Sequence, residues 1–195
     1  MNLDVPDSRL VTPAVLEQLR EDHVRLARVM RVLEREVDFL DVDDGPNYPL
    51  LTAIVTYVRT YADAVHHPTE DKVFDRLLHK GLTPAERHVV FLNLGKHQEI
   101  NEHSRKLQND LLEAIHNGNV LTTRRLLEDI QQYLLQQRKH MAFEELHLFP
   151  LVESRLNDAD WNLIDAELMP GPDPLFDSKL EHFRTLYDYI IEAER

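Results

Sequence analysis

The chain has 195 residues, 43% of them hydrophobic, with a formal net charge of −13 and no cysteine. That length allows one domain with a real core and leaves little for a second. The acidic balance argues against nucleic acid and anionic membrane as partners, since both need clustered Lys and Arg. The lack of cysteine excludes disulfides, thiolate zinc sites and cysteine-ligated iron–sulfur clusters.

The opening residues MNLDVPDSRLVTP carry no apolar stretch of a signal peptide. No apolar run approaches a membrane span, so the cytoplasm is the expected compartment. Only five glycines occur. They fall mostly between periodic segments, which reads as long helices with short turns.

The first predicted helix runs from Pro13 to Leu40, capped by Thr12. Its apolar stripe is Leu16, Leu19, Leu26, Met30, Leu33, Val37 and Leu40, spaced by threes and fours. A turn over Asp41–Pro49 leads to a second helix ending near Leu78, with Leu51, Val55, Val58, Ala62, Val73 and Leu77 inward. Pro68 lies inside it. A proline there leaves the Ala64 carbonyl without its helical donor and predicts a kink.

Thr83-Pro84-Ala85-Glu86 reads as a capping box opening a third helix to about His116, with Gly95 a point of division. Asn117-Gly118-Asn119 closes it. A fourth helix spans about Thr123 to Leu156, with Leu126, Ile130, Tyr133, Leu148 and Leu151 inward. A short helix around Trp161 and an amphipathic one through Phe183, Leu186 and Ile190 follow. The whole predicts an all-α chain: an antiparallel up-down four-helix bundle over residues 1–156, with extra C-terminal helices over 157–195 packed on it. The last helix also suits a homodimer contact.

The eleven histidines give the bundle its chemistry. His23 falls on the first stripe, between Leu19 and Leu26, and His103 falls between Ile100 and Leu107 on the third helix. His66 is followed four residues later by Glu70, and His140 by Glu144. Residues four apart lie one above the other on a helix, so each pair aims a nitrogen and an oxygen at one point. Counting from the helix ends sets His23 level with His66 and His103 within a turn of His140. The chain also repeats itself: Asp22-His23-x-Arg25 is echoed by Glu102-His103-x-Arg105, and His66-x-x-x-Glu70-Asp71 by His140-x-x-x-Glu144-Glu145. A lone histidine on an apolar stripe is usually a core residue with a hydrogen-bond partner. Six imidazoles and carboxylates at matching heights in two repeats are explained in one step by a bound cation. His23, His66, Glu70, His103, His140 and Glu144 are the expected metal ligands.

With Asp22-His23, HHPTED (His66–Asp71), Glu102-His103 and HMAFEELHLFP (His140–Pro150) in this order, the chain resembles the haemerythrin-like family, the HHE cation-binding domain. The resemblance covers most of residues 14 to 156. It implies a four-helix bundle around a non-haem di-iron centre, with two Fe ions bridged by Glu70 and Glu144. It also implies a protein that binds or senses a small ligand such as O2, NO or peroxide and is at most a weak oxidase or peroxidase. Oxygen-carrying members have a His-x-x-x-His pair on the third helix. Here Glu99 stands four before His103, and His97, six before it, is expected to face elsewhere. That departure argues against reversible oxygen transport.

Glu144-x-x-His147 is an added candidate; His67 is expected to hydrogen-bond or face solvent. An iron store or donor without catalysis, and a zinc-binding or structural bundle, are the alternatives.

Overall fold

The structure is a computed structural model that describes residues 13–38, 45–117, 120–168 and 171–194. The expected cap Thr12, the helix end Leu40, the acidic turn 41–44, the turn residues Gly118 and Asn119, and 169–170 lie outside them. All regular structure among the described residues is helical. Helix α1 spans Ala14–Asp38, α2 Tyr48–Tyr57, α3 His67–Leu78, α4 Pro84–Asn117 and α5 Val120–Phe143. Helix α6 spans Phe149–Arg155, α7 Asp158–Glu167 and α8 Arg184–Ala193. No described helix is long and apolar enough to cross a membrane.

The predicted second and fourth helices each contain a wider turn. Val58–His66, joining α2 to α3, and Glu144–Leu148, joining α5 to α6, are π-helical. Each stands just before a proline, Pro68 and Pro150, in the first turn of the next helix. A proline offers no N–H and its ring crowds the carbonyl four residues back. The chain resolves this by shifting to i→i+5 bonds: the His67 N–H reaches the Ala62 carbonyl, and the Phe149 N–H reaches that of Glu144. The irregularity expected from Pro68 is therefore a widened turn. Gly95 lies within α4, which runs unbroken.

Helix α4 starts where the sequence indicates. The Thr83 N–H donates to Glu86 Oε2 at 2.7 Å, and the Glu86 N–H donates to Thr83 Oγ1 at 3.2 Å. This reciprocal bonding satisfies two donors that an open helix end leaves unpaired.

Side-chain links fix how the long elements lie together. Arg20 pairs with Glu153 at 2.7 Å, His23 with Glu145 at 2.9 Å and Glu34 with Arg138 at 2.5 Å. Residue numbers rise along α1 as they fall along α5–α6. Tyr61 and His66 reach Asp22, while Asn47 reaches Glu36. His97 pairs with Asp71, and Ser104 bonds Asp63. Lys106 pairs with Asp129, while Asn93 bonds Glu144.

The apolar interior is in two parts. One is built on Leu26, Val29, Met30 and Leu33 of α1, with Leu51, Ile54, Ile100, Leu107, Ile130 and Tyr133. The other gathers Leu16 and Leu19 with Val73, Phe74, Leu77, Leu148, Phe149 and Trp161. Between them on α1 stand Asp22 and His23, both buried. The polar layer is thus sealed from both ends by hydrocarbon. Phe74→Ala, in the second part, is expected to cost about 3–5 kcal/mol by the cavity it leaves, read from denaturant unfolding.

The C-terminal helices pack on this framework. Phe183, Leu186 and Ile190 join the first apolar part, and Arg28 of α1 bonds Glu194 at 2.6 Å. Helix α7 is held by Asp160, only 1% exposed. Its carboxylate closes a capping box with Asn157, accepts from Arg76 at 2.6 and 2.8 Å, and pairs with Lys80. Burial works to raise its pKa, but the Asn157 N–H, Lys80 and Arg76 hold it down at about 2. A carboxylate depressed on folding stabilises the fold above its unfolded value near ~3.9, and that stability is lost as pH falls through the folded value. Asp160→Asn should therefore lower the melting temperature at pH 7. The gap to wild type should close between about pH 4 and 2, followed by circular dichroism at each pH.

Candidate metal centre

Five imidazoles and two carboxylates meet between the two apolar parts: His23 from α1, His66, His67 and Glu70 from the first π turn and α3, His97 from α4, and His140 and Glu144 from α5 and the second π turn. Glu70 and Glu144 have no measurable exposure, and none of the five histidines exceeds 6%.

Glu70 is at the middle. Its Oε1 lies 3.3 Å from His23 Nε2 and 3.5 Å from His66 Nε2, and its Oε2 lies 3.3 Å from His97 Nε2. Glu144 lies opposite. Its Oε2 is 3.4 Å from His23 Nε2 and 3.3 Å from His140 Nε2, and its Oε1 is 3.1 Å from His97 Nε2. Potential ligand atoms of His67, Glu70, His97 and His140 lie within 4.8 Å of one another, and so do those of His23, His66 and Glu70. Two groups thus share one carboxylate.

The geometry is that of atoms facing common points, not each other. Both oxygens of Glu70, Oε2 of Glu144, and the Nε2 atoms of His23 and His140 have no hydrogen-bond partner among the described residues. A buried carboxylate left this way is strongly unfavourable unless a cation balances it. Imidazole nitrogens and carboxylate oxygens suit iron, zinc and related divalent ions. The residues present fit a metal site.

Protons act as counter-ions in the metal-free interior. Desolvation works to lower the pKa of His97, but the carboxylates of Asp71, Glu144 and Glu70 overcome it and push it up to about 12. His23 is raised in the same way, against desolvation, by Glu144, Glu145 and Glu70. Burial works to raise the pKa of Glu70, but His66, His23 and His97 hold it well below the usual carboxylate range. His67, lowered by desolvation and by His97 and His66, and His140, lowered chiefly by desolvation, are neutral.

Carboxylates also brace the far sides of the rings. His23 Nδ1–H donates to Glu145 at 2.9 Å, His66 Nδ1–H to Asp22 at 3.2 Å, and His97 Nδ1–H to Asp71 at 2.5 Å. His67 Nδ1 stands 3.6 Å from Asp63, which is itself held by Arg59 and Ser104. Such partners fix the tautomer and direct the other ring nitrogen inward. Asn93 Nδ2 donates to Glu144 Oε1 at 2.7 Å and steadies that carboxylate.

Of the six residues expected from sequence, the fold brings His23, His66, Glu70, His140 and Glu144 together. His103 does not join them. Half-buried, it donates through Nδ1 to Gln136 Oε1 at 2.8 Å, stands 3.4 Å from Asp129, and meets the Tyr133 ring edge-on. Register explains the difference. Helix α5 begins at Val120, so His140 lies 20 residues into it, and His97 lies 20 residues before the end of α4 at Asn117. His103 lies 14 before that end, about 9 Å along the axis from His97. The buried line of α4 is Asn93, His97, Ile100, Ser104, Leu107 and Leu111, so the inward residue after Ile100 is Ser104.

Sequence reasoning set His67 and His97 aside, and both are buried in the cluster. The widened turn before Pro68 brings adjacent residues closer in angle than an α-helix does, so His66 and His67 both face inward. The pairing of a tandem histidine with the next-residue proline was the available signal. Glu99 is exposed and pairs with Lys96, and His147 is exposed beside Phe143.

Residues 14–152 match the family described as the Hemerythrin HHE cation binding domain. No curated protein and no solved structure matches the chain. The match takes in every element that supplies the cluster, from His23 to Glu144, and the chain belongs to the hemerythrin HHE cation-binding family.

Proposed function

We propose that this protein holds two iron ions in the interior of an antiparallel up-down four-helix bundle and uses them to bind or sense a small ligand such as O2, NO or peroxide. The observation that carries the reading is the pair of donor groups sharing Glu70, with buried nitrogens and oxygens that no hydrogen bond among the described residues satisfies. The opposed residue numbering of the links between α1 and α5–α6, and between α3 and α4, supports the antiparallel arrangement. In this reading residues 1–156 form the metal-binding bundle and 157–195 a packed extension, and the protein acts in the cytoplasm.

The proposed ligands are His23, His66, His67, Glu70, His97, His140 and Glu144, with Glu70 and Glu144 as bridges. His103 stays outside the set. Iron would supply redox-active cations with coordination positions left over for a small ligand. The chain's own residues set the geometry: Asp22, Asp71 and Glu145 fix the tautomers, Asn93 steadies Glu144, and Phe149 stacks on His23 at 5.3 Å to keep water away.

Elemental analysis after anaerobic loading with ferrous iron tests this directly. About two irons per chain are expected, with absorption bands that change on adding NO or peroxide. Iron that exchanges freely with chelators and never responds to either ligand would indicate a store or donor, and zinc alone would sink the iron assignment. The ligand set has its own test. His97→Ala is expected to weaken metal binding at least about tenfold and His103→Ala to leave it at the wild-type value, both by competition with a calibrated chelator.

A further inference from the structure

The five histidines of the cluster are not held alike. His23, His66 and His97 each donate from Nδ1 to a carboxylate, and His67 has Asp63 at 3.6 Å. His140 has none. Its Nδ1, like that of His67, is buried without a hydrogen-bond partner among the described residues, but unlike His67 it has no carboxylate paired to that nitrogen among them; Glu144 lies 3.3 Å from its Nε2. An imidazole without that brace is a weaker base and turns more freely about its side-chain bonds.

His140 also lines a cavity. Between α4 and α5 lies a cleft of ≈490 Å³ with Leu92, Leu135 and Phe143 along its walls, Asn93 and His140 among its lining residues, and the exposed Lys96 and Lys139 also on it. Leu92 and Leu135 are 55% and 54% exposed, so the cleft opens to solvent. A second cavity touching the cluster, beside His67 and His97, is lined instead by Asp63, Asp71, Glu102 and Arg105. Neither cavity is lined by His23 or His66. An uncharged diatomic partitions into hydrocarbon and avoids a wall of ionised groups.

We propose that the α4/α5 cleft is the route by which an apolar diatomic ligand reaches the metal centre, and that His140 is a replaceable ligand that yields to admit it. The inference rests on the iron reading above. Braced on their outer nitrogens, His23, His66 and His97 keep the metals in place while His140 moves. Asn93, bonded to Glu144, holds that bridge as the neighbouring ring withdraws.

The test uses the full chain loaded anaerobically with ferrous iron, with NO as probe in stopped flow. His140→Ala should take up NO faster than wild type at equal iron loading and lose less affinity for iron than His66→Ala, whose affinity should fall at least about tenfold. Leu135→Trp should fill the cleft and slow NO association about tenfold or more with iron content unchanged. Because Leu135 is exposed, that variant keeps the question open to measurement even where His140→Ala does not fold. Loss of iron from His140→Ala as complete as from His66→Ala would show a fixed ligand, and an unchanged NO rate in Leu135→Trp would exclude the cleft. Either result overturns the proposal and leaves the iron reading standing. A wild-type chain that takes up no iron would remove that reading itself.

Discussion

Glu70→Ala is expected to abolish stoichiometric metal binding at both positions. The carboxylate is fully buried, and its two oxygens face His23 and His66 on one side and His97 on the other. Both donor groups include it, so its removal takes an oxygen from each at once. The expected loss of affinity is at least about a hundredfold, or about 2.7 kcal/mol per ion. Glu70→Gln separates charge from shape, because the amide fills the same space without neutralising a cation. It should fail nearly as completely. Metal counted by mass spectrometry after dialysis against a weak chelator gives the answer. Near-wild-type metal in Glu70→Ala would mean that the two groups do not share this bridge. Circular dichroism of both variants checks that the helices remain.

Chelation should have the second large effect, on stability. A ligand present at about a thousand times its dissociation constant stabilises the native state by about 4 kcal/mol. For a chain of this size each kcal/mol moves the melting temperature by about 2–4 °C. Stripping one tightly held ion should therefore lower the melting temperature by about 8–16 °C, and stripping both by more. The metal-free state is not expected to unfold, for two reasons. The apolar parts on either side of the cluster contain no cluster residue. Protonated His23 and His97 supply the positive charge that Glu70 and Glu144 need. Those protons must leave when metal enters, so loading should acidify an unbuffered solution. A chelator-treated protein that melts as the loaded one does would show that the interior gains nothing from a cation.

The amino-acid sequence by itself determined the helices, most of their inward faces and five of the residues that the fold brings together in the buried cluster. Periodicity and capping are local, and the Thr83–Glu86 box formed as its spacing requires. A His and a Glu four apart are carried on one helix, so His66 with Glu70 and His140 with Glu144 needed no knowledge of neighbours. The motifs around them also carried the family, which the match over residues 14–152 bears out.

Tertiary structure decided which residues of α4 meet them. Ile100, His103 and Leu107 satisfy helical spacing, and so do Ile100, Ser104 and Leu107; polarity alone favoured the histidine over the small serine. The choice is made by axial register against α5, which brings His97 to the height of His140, and by rotation, which turns Ser104 inward against Asp63. The same holds for His67. Its position follows from a π turn forced by a proline one residue later, and 100° per residue cannot anticipate a change in the helix itself. Spacing within one helix is a covalent property and is written in the chain; register between helices is set by how whole faces pack, and only the folded bundle fixes it.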